Sequence, residues 1–117
     1  MTVKRIVPNI AMLNPEDARS FYEDVFGLKL VMNLGWIQTF ASDNDTAPQV
    51  SIASEGGAGT QVPDMSIEVD DVDAVYERAR ARGCEILYDL CEEDWGVRRF
   101  FVRDPAGKVL NVLAHIR

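Results

Sequence analysis

Residues 92–116 read EEDWGVRRFFVRDPAGKVLNVLAHI, and this stretch decides the fold of the chain. Two segments rich in β-branched and aromatic residues, 97–103 and 108–116, flank the tetrapeptide Asp104-Pro105-Ala106-Gly107. Proline fixes φ at the second position of a turn, and glycine accepts a positive φ at its end. The stretch therefore predicts a β-hairpin.

A large aromatic side chain stands at the entrance to this hairpin. Trp95 and Gly96 follow an acidic segment with little secondary-structure signal. An indole at the mouth of a sheet can be buried or left accessible. Trp95 is therefore predicted to be either a lid over the core or a platform for a ligand.

The segment before the hairpin predicts a strand, a helix and a further strand. Residues 64–69 alternate between polar and apolar side chains, as in a half-buried strand. Asp70 or Asp71 is the expected N-cap of the helix that follows, and Gly83 is its expected end. A strand at residues 84–90 then leads to the hairpin, which gives the order βαβββ.

The first half of the chain predicts the same order of elements. A strand is expected at residues 4–12 and a helix at residues 15–26, with Asn14 as N-cap, Pro15 in the first turn and Gly27 at the end. Strands are expected at residues 28–33, 36–41 and 49–54.

The two halves correspond by position. Three pairs of similar residues are each 56 positions apart: Ala18 and Ala74, Gly27 and Gly83, Leu30 and Ile86. The spacing indicates a structural repeat within one domain, residues 1–117. Its expected parts are module one at 1–55, a small and flexible linker at 56–61, and module two at 62–117.

The predicted helix at 15–26, the Trp95-Gly96 entrance and the turn Arg103-Asp104-Pro105-Ala106-Gly107 resemble the superfamily of glyoxalases, bleomycin resistance proteins and extradiol dioxygenases, which has the vicinal oxygen chelate fold. The turn and its entrance look most like the bleomycin resistance branch. The resemblance implies an α+β fold in which two βαβββ modules form a concave, partly open β-cup with the helices outside. It also implies that the cup is the ligand site and that the protein is a homodimer.

Charge and composition narrow the range of partners. The formal net charge is -7, and no basic stripe could neutralise phosphates, so nucleic acid is not expected as a partner. The acidity either attracts cationic small molecules or keeps the protein soluble. No apolar run approaches the about 20 residues that a membrane span needs, so a cytoplasmic protein without a membrane partner is expected. Cys84 and Cys91 fit no metal or redox spacing and are read as reduced thiols.

Strand alternation and the resemblance together give the candidate ligand-binding residues. In the strand at 64–69, Met65, Ile67 and Val69 are expected to meet a helix, so the polar set on the other face is expected to point into the cup. Solvation of that polar set at the rim of the sheet is the alternative. The candidates are Asn9, Trp36, Gln38, Phe40, Asp64, Glu68, Trp95, Phe101 and Asn111. For the aromatic members, packing in the core is the alternative to stacking on a ligand.

Metal-dependent members of the resembled family hold their ion with four side chains, one from each of four strands. The resemblance puts Val7, Ser51, Asp64 and Asn111 at those positions. Asp64 is the one good ligand among them, because divalent ions want several oxygen or nitrogen donors. No metal, no cofactor and no catalytic residue is therefore expected. His115, near the end of the sequence, is read as a surface or interface residue.

The resemblance and the residues favour a metal-free protein that binds a small molecule and acts by sequestration. Its ligand would be a cationic drug, which would make the protein an antibiotic resistance factor, or another planar metabolite. The alternative is a metal-dependent lyase, isomerase or dioxygenase of the same superfamily. That enzyme would need a different ligand set, drawn from Gln38, Asp64, Glu68 and His115.

Overall fold

The computed structural model describes residues 1–116 and shows eight strands and two helices. The strands are β1 (Val3–Ala11), β2 (Lys29–Asn33), β3 (Ile37–Ala41), β4 (Gln49–Ala53), β5 (Met65–Val69), β6 (Ile86–Glu92), β7 (Val97–Arg103) and β8 (Val109–His115). The helices are α1 (Glu16–Phe26) and α2 (Val72–Ala81). The predicted α+β class and the repeated order βαβββ are confirmed.

Two compact units make up the chain. The N-terminal unit is Val7–Val62, and the C-terminal unit joins Met1–Ile6 to the segment that begins at Pro63. The strand order is β2-β3-β4-β1 in the first half of the chain and β6-β7-β8-β5 in the second. Each order ends in a parallel pair, β1 with β4 and β5 with β8. The sequence repeat is thus also a repeat of strand topology.

The ends of α1 depart in part from the prediction. The N-cap residue is Pro15, and no side chain caps the helix there. Asn14 acts through its backbone instead, since its carbonyl accepts a hydrogen bond from the Asp17 N–H at 3.1 Å. At the other end Gly27 has φ 67°, and its N–H bonds the Glu23 carbonyl at 3.1 Å. Gly27 therefore ends the helix as predicted.

The α2 helix begins at a side-chain cap. Of the two predicted caps Asp71 is the one used, because its Oδ1 accepts a hydrogen bond from the Ala74 N–H at 3.1 Å. The buried side chains of α2, Val72 and Tyr76, pack on the sheet of the C-terminal unit. The core there comprises Val69, Val72, Tyr76, Phe100, Val102, Val112 and Ala114.

In the N-terminal unit a smaller core lies between α1 and its sheet. Ala18, Phe40 and Ile52 are buried together, and the Tyr22 and Phe40 rings stack with centroids 5.6 Å apart. The α1 helix therefore covers the face of the N-terminal sheet that carries Phe40 and Ile52.

The β7–β8 hairpin has the predicted turn. Arg103 pairs with Val109, and Gly107 has φ 82°. The Asp104 carboxylate organises the connection, since its Oδ1 accepts hydrogen bonds from the N–H groups of Ala106 at 2.9 Å and Lys108 at 2.8 Å.

The glycine-rich segment before β5 is a hydrogen-bonded turn and not the flexible stretch that composition suggests. The Gly56 N–H bonds the Thr60 carbonyl at 2.7 Å, and the Thr60 hydroxyl donates to the Gly57 carbonyl at 2.7 Å. The Glu55 carboxylate accepts from the Gly59 N–H at 2.9 Å. Its role as a linker between two modules stays a prediction.

Candidate functional site

The strongest candidate site lies on the face of the C-terminal sheet that α2 does not cover. Phe100 and Val112 point to α2, so strand alternation puts Phe101 and Asn111 on the opposite face. We call this opposite face the distal face. It carries Ser66 and Glu68 of β5, Arg99 and Phe101 of β7, and Asn111 and Leu113 of β8.

Asn111 and Ser66 form a polar pair at the centre of the distal face. The Asn111 Nδ2 donates to the Ser66 Oγ at 3.0 Å, across the parallel pairing of β5 and β8. The Oδ1 of Asn111 is buried but accepts no hydrogen bond within residues 1–116. A buried acceptor without a donor costs about 1–3 kcal/mol. The amide is thus ready to accept a hydrogen bond from a bound molecule.

The residues at the four family metal positions do not fit a divalent ion. Val7 has no donor atom, and the Ser51 hydroxyl is engaged with the Thr39 hydroxyl at 2.7 Å. Asp64 already accepts a hydrogen bond from the Val109 N–H at 2.8 Å. Asp64 and the Asn111 amide are the two oxygen donors left for a hard cation, which wants six or more.

Within residues 1–116, no group of three or more His, Cys, Asp or Glu side chains is placed so that it could hold a metal ion.

Arg99 occupies the aromatic surface that the sequence suggested for a ligand. Its side chain is 2% exposed, and its guanidinium carbon lies 5.1, 4.9 and 4.8 Å from the ring centroids of Tyr88, Trp95 and Phe101. Glu93 completes the enclosure, because its Oε2 lies 2.6 Å from the Arg99 Nη2. We call this group of five side chains the Arg99 cage. The Trp95 face is therefore covered by a cation from the same chain.

Tyr88 and Cys91 extend the hydrogen bonding of the Arg99 cage. The Tyr88 hydroxyl donates to the Glu93 Oε2 at 2.9 Å and accepts from the Cys91 Sγ at 3.5 Å. The Cys91 thiol, burial and the Glu93 carboxylate raise the pKa of Tyr88 to about 12. The phenol thus stays protonated at neutral pH and remains a donor to Glu93.

A second polar group gathers around Glu68. Its Oε1 accepts from the Arg5 Nε at 2.5 Å, and its Oε2 lies 2.8 Å from the His115 Nδ1 and 3.9 Å from the Lys4 Nζ. Burial opposes ionisation of Glu68, but the hydrogen bonds of His115 and Arg5 outweigh it and hold the pKa of this carboxyl below its ordinary value of 4.5. Glu68 is therefore a buried carboxylate at neutral pH.

Gln38 and Phe40 lie on the face toward α1 and not on the expected ligand face. The Gln38 Nε2 donates to the Glu16 Oε2 of α1 at 2.5 Å, and Phe40 is buried against Tyr22. Period-two alternation groups these residues correctly but does not say which group faces the helix. Their predicted contact with a ligand stays a prediction, and the Gln38 Oε1 is, like the Asn111 Oδ1, a buried acceptor without a hydrogen bond in the described part of the chain.

The remaining candidates are placed as follows. Asn9 pairs in register with Ser51, on the strand face opposite Phe40. Trp36 is half-buried just before β3, and its carbonyl accepts a hydrogen bond from the Ser54 N–H at 2.9 Å. Phe101 is 3% exposed inside the Arg99 cage. The structure thus brings Trp95 and Phe101 together around Arg99, and it pairs Asn111 with Ser66.

The partners that surround these candidates were not predicted from the sequence. Tyr88, Glu93 and Arg99 were not singled out, although Arg99 and Phe101 are two residues apart on one strand and so share a face. An arginine two residues before an aromatic residue, on the same face of one predicted strand, was the available signal. The pairing of Glu68 with His115 could not be found by spacing, because 47 residues separate them.

No helix in the described part of the chain is long and apolar enough to cross a membrane.

The comparisons with solved structures show the fold. A glyoxalase/bleomycin resistance protein/dioxygenase superfamily member from Vibrio splendidus 12B01 has 18% identity and a TM-score of 0.63, with 98% of this chain and 100% of that chain covered. Methylmalonyl-CoA epimerase from Mycobacterium tuberculosis has 18% identity and a TM-score of 0.64, covering 98% and 88%. NAD-dependent benzaldehyde dehydrogenase from Legionella pneumophila has 15% identity and a TM-score of 0.77, covering 95% and 99%. No curated protein matches the chain significantly.

The sequence profile described as Glyoxalase/Bleomycin resistance protein/Dioxygenase superfamily matches residues 7–112, which is most of the chain. The predicted closeness to the bleomycin resistance branch stays a prediction. The chain belongs to the glyoxalase/bleomycin resistance protein/dioxygenase superfamily.

Proposed function

We propose that this protein binds a small organic molecule without a metal ion and acts by sequestering it. The single observation that carries the proposal is the Asn111 amide, whose buried Oδ1 accepts no hydrogen bond in the described chain. The donor-poor residues at the family metal positions, among them Val7 and Ser51, support the metal-free part.

The chemistry of the distal face suggests the class of ligand. The Asn111 Oδ1 would accept a hydrogen bond from an N–H or O–H group of the ligand. Asp64, just before β5, is exposed, and the formal net charge of -7 favours a neutral or cationic molecule over an anion. A cationic drug belongs to this class, and binding it would give antibiotic resistance. Stacking of that cation on Trp95 is not part of the proposal, because Arg99 already lies over one face of the indole.

The proposal includes a homodimer in the cytoplasm. Apolar side chains of α1, among them Phe21, Val25 and Phe26, are exposed and would be covered by a second copy. Cys84 and Cys91 are both free thiols, which suits a reducing compartment.

Thermal unfolding of the purified protein with a panel of planar and cationic compounds tests this function. A ligand at 100-fold its Kd stabilises the folded state by about 2.7 kcal/mol, so at least one N–H-bearing compound should raise the Tm by several degrees. Asn111→Leu, which keeps the volume but removes the acceptor, should abolish that rise. Asn44→Leu in the exposed loop before β4 is the matched control and should retain it.

Two outcomes would contradict the proposal. One is a panel in which no compound shifts the Tm, or in which Asn111→Leu and the wild type respond equally. The other is near-stoichiometric zinc, nickel, manganese or iron in the purified protein, measured by elemental analysis. That second result would favour the metal-dependent lyase, isomerase or dioxygenase of the same superfamily.

A further inference from the structure

The single histidine of the sequence is held by a buried carboxylate. His115 lies at the end of β8, and its Nδ1 is 2.8 Å from the Oε2 of Glu68 on β5. The Glu68 side chain is 10% exposed, whereas that of His115 is 45% exposed. A buried carboxylate thus holds one edge of a ring that otherwise reaches solvent.

Two cationic side chains of β1 keep the Glu68 carboxylate ionised. Arg5 bonds its second oxygen at 2.5 Å, and the Lys4 Nζ lies 3.9 Å away. The strand on the other side, β7, presents the apolar Val97 at the position paired with His115. Among residues 1–116, the charged groups that the structure places at this pair are Glu68, which contacts the imidazole directly, and the two cations that contact Glu68.

An ionised Glu68 fixes the tautomer of His115. A carboxylate accepts hydrogen bonds and cannot donate them, so Nδ1 must carry the proton. The neutral ring then has its lone pair on Nε2. Nε2 makes no hydrogen bond within residues 1–116. This nitrogen is thus a base on a side chain that is 45% exposed, with its partner nitrogen already held.

We infer that His115 and Glu68 form a general-base pair, in which the His115 Nε2 takes a proton from water or from the hydroxyl group of a small molecule. Glu68 is the positioning residue, and it balances the charge of the imidazolium that forms. The reaction class is attack of a hydroxyl oxygen on an electrophilic carbon, as in ester hydrolysis. Nε2 accepts the proton while the oxygen bonds to the acyl carbon. The carbon–oxygen bond to the leaving group breaks with its electron pair, and the proton passes from Nε2 to solvent.

The wild-type protein gives the first test, without any substitution. A ¹⁵N-resolved NMR spectrum of the one histidine reports which nitrogen carries the proton. The pair requires that the neutral ring is protonated at Nδ1, with Nε2 as the bare nitrogen. Protonation at Nε2, or an equal mixture of tautomers as in free histidine, would overturn it.

Kinetics with p-nitrophenyl acetate as the probe give the second test. The wild type should hydrolyse this ester faster than free imidazole at the same concentration. His115→Asn keeps a donor near the Nδ1 position but removes Nε2, and it should lower the rate by about 10²-fold, the low end for a general base. Glu68→Gln should cause a smaller loss and should mix the two tautomers.

A second acidic substitution controls for the loss of charge. Glu23→Gln removes a carboxylate that pairs with Arg19 on α1, and it should leave the rate unchanged. The inference fails if the wild type is no faster than imidazole or if His115→Asn retains the wild-type rate. It also fails if Glu68→Gln retains both the wild-type rate and the wild-type tautomer.

Discussion

At the scale of single residues, the position of Arg99 alters the interpretation of Trp95 and Phe101 as ligand-binding candidates. Trp95 and Phe101 were predicted to contact a ligand, with core packing as the alternative, and in the structure both rings contact the guanidinium of Arg99. The guanidinium is paired with Glu93, whose side chain is 8% exposed. A buried ion pair contributes little against an apolar replacement of both partners, but loss of one partner leaves a buried charge without compensation.

We therefore expect Arg99→Met to lower the free energy of unfolding by about 3–5 kcal/mol, because Glu93 is left buried and unpaired. Arg98→Met is the matched control on the neighbouring position. Arg98 pairs with Asp73 at 2.9 Å, and the Asp73 side chain is 59% exposed. Loss of such an exposed pair should cost about 1 kcal/mol or less. Urea unfolding measures the free energy of unfolding of both variants. Equal losses would contradict the buried ion pair of the Arg99 cage.

Glu68 gives the stability of the protein a pH dependence in acid. Its pKa is lower in the folded state than its ordinary value of 4.5, so the folded state releases this proton more readily than the unfolded chain does. The resulting stabilisation is present above pH 4.5 and is lost as the pH falls through the folded pKa. Replacement of the Glu68 carboxylate should remove its contribution to the pH dependence of stability.

Urea unfolding of the wild type and of Glu68→Gln, between pH 6.5 and roughly pH 3, checks this expectation. The wild type should lose more stability than the variant across that interval, and the two should converge at the acid end. Parallel curves for the two proteins would show that Glu68 is not the group responsible.

The residues of the site were predictable to different degrees. Alternation together with the resemblance gave the predicted face of Asn111, since the side-chain period of a strand is two and the resemblance supplied the choice between the two faces. It could not give the orientation of Gln38, because either face of β3 could have met α1. Nor could it place the Trp95 indole on Arg99, because the loop before β7 follows no periodic pattern and its path is set by tertiary contacts.

At the scale of elements, turn chemistry was the most reliable guide. The Asp104-Pro105-Ala106-Gly107 turn and the helix end at Gly27 appear as predicted, because a positive φ strongly selects glycine. The segment around Gly56 was predicted to be flexible because it is rich in glycine and other small residues. Composition does not reveal that Gly56 is needed for space, which only the folded turn shows.

The turn at Gly56 should not tolerate a side chain. A Cβ at this position would lie 2.3 Å from the Gln61 carbonyl oxygen and 2.3 Å from the Thr60 Oγ1. Gly56→Ala should therefore lower the free energy of unfolding by about 1–3 kcal/mol, as overpacking does elsewhere. The opposite change in the same turn is the control. Ala58 has φ 52°, so Ala58→Gly relieves backbone strain and should be near neutral or slightly stabilising.

Thermal and urea unfolding of the two variants, measured side by side, distinguish steric exclusion from general sensitivity of the turn. A Gly56→Ala protein as stable as the wild type would mean that the turn can open without cost. Equal destabilisation by both changes would mean that space at Gly56 is not the cause.

At the scale of the whole molecule, the repeat and the family membership agree. The 56-residue spacing predicted two modules of the same topology, and the same strand order is found in both halves. The family match spans residues 7–112 and so includes both modules. Function does not follow from that match, because Val7, Ser51, Asp64 and Asn111, which the resemblance puts at the four metal positions, offer few of the donors that the family's metal chemistry needs.

The exposed apolar side chains of α1 lead to a prediction about assembly. Phe26 is 62% exposed, and its ring packs on Phe21 with centroids 5.7 Å apart and on Tyr22 at 6.2 Å. If the proposed homodimer covers this aromatic group, the wild type should sediment at twice the mass of one chain. Phe26→Glu should weaken association by roughly 30-fold or more, the effect of losing about 2 kcal/mol at an interface hot spot.

Ser20→Glu adds the same charge to an exposed position of the same helix and should leave the dimer intact if the aromatic group is what matters. Sedimentation equilibrium at several protein concentrations separates the outcomes. A wild type that stays monomeric throughout contradicts the homodimer itself. A dimer that both variants retain places the interface elsewhere on the chain, whereas dissociation by both would point to charge on α1 and not to Phe26. Burial of Phe26 and its neighbours stabilises the dimer by about 25 cal/mol for each Å² of apolar surface removed from water. The aromatic group, and not the helix as a whole, is therefore expected to decide association.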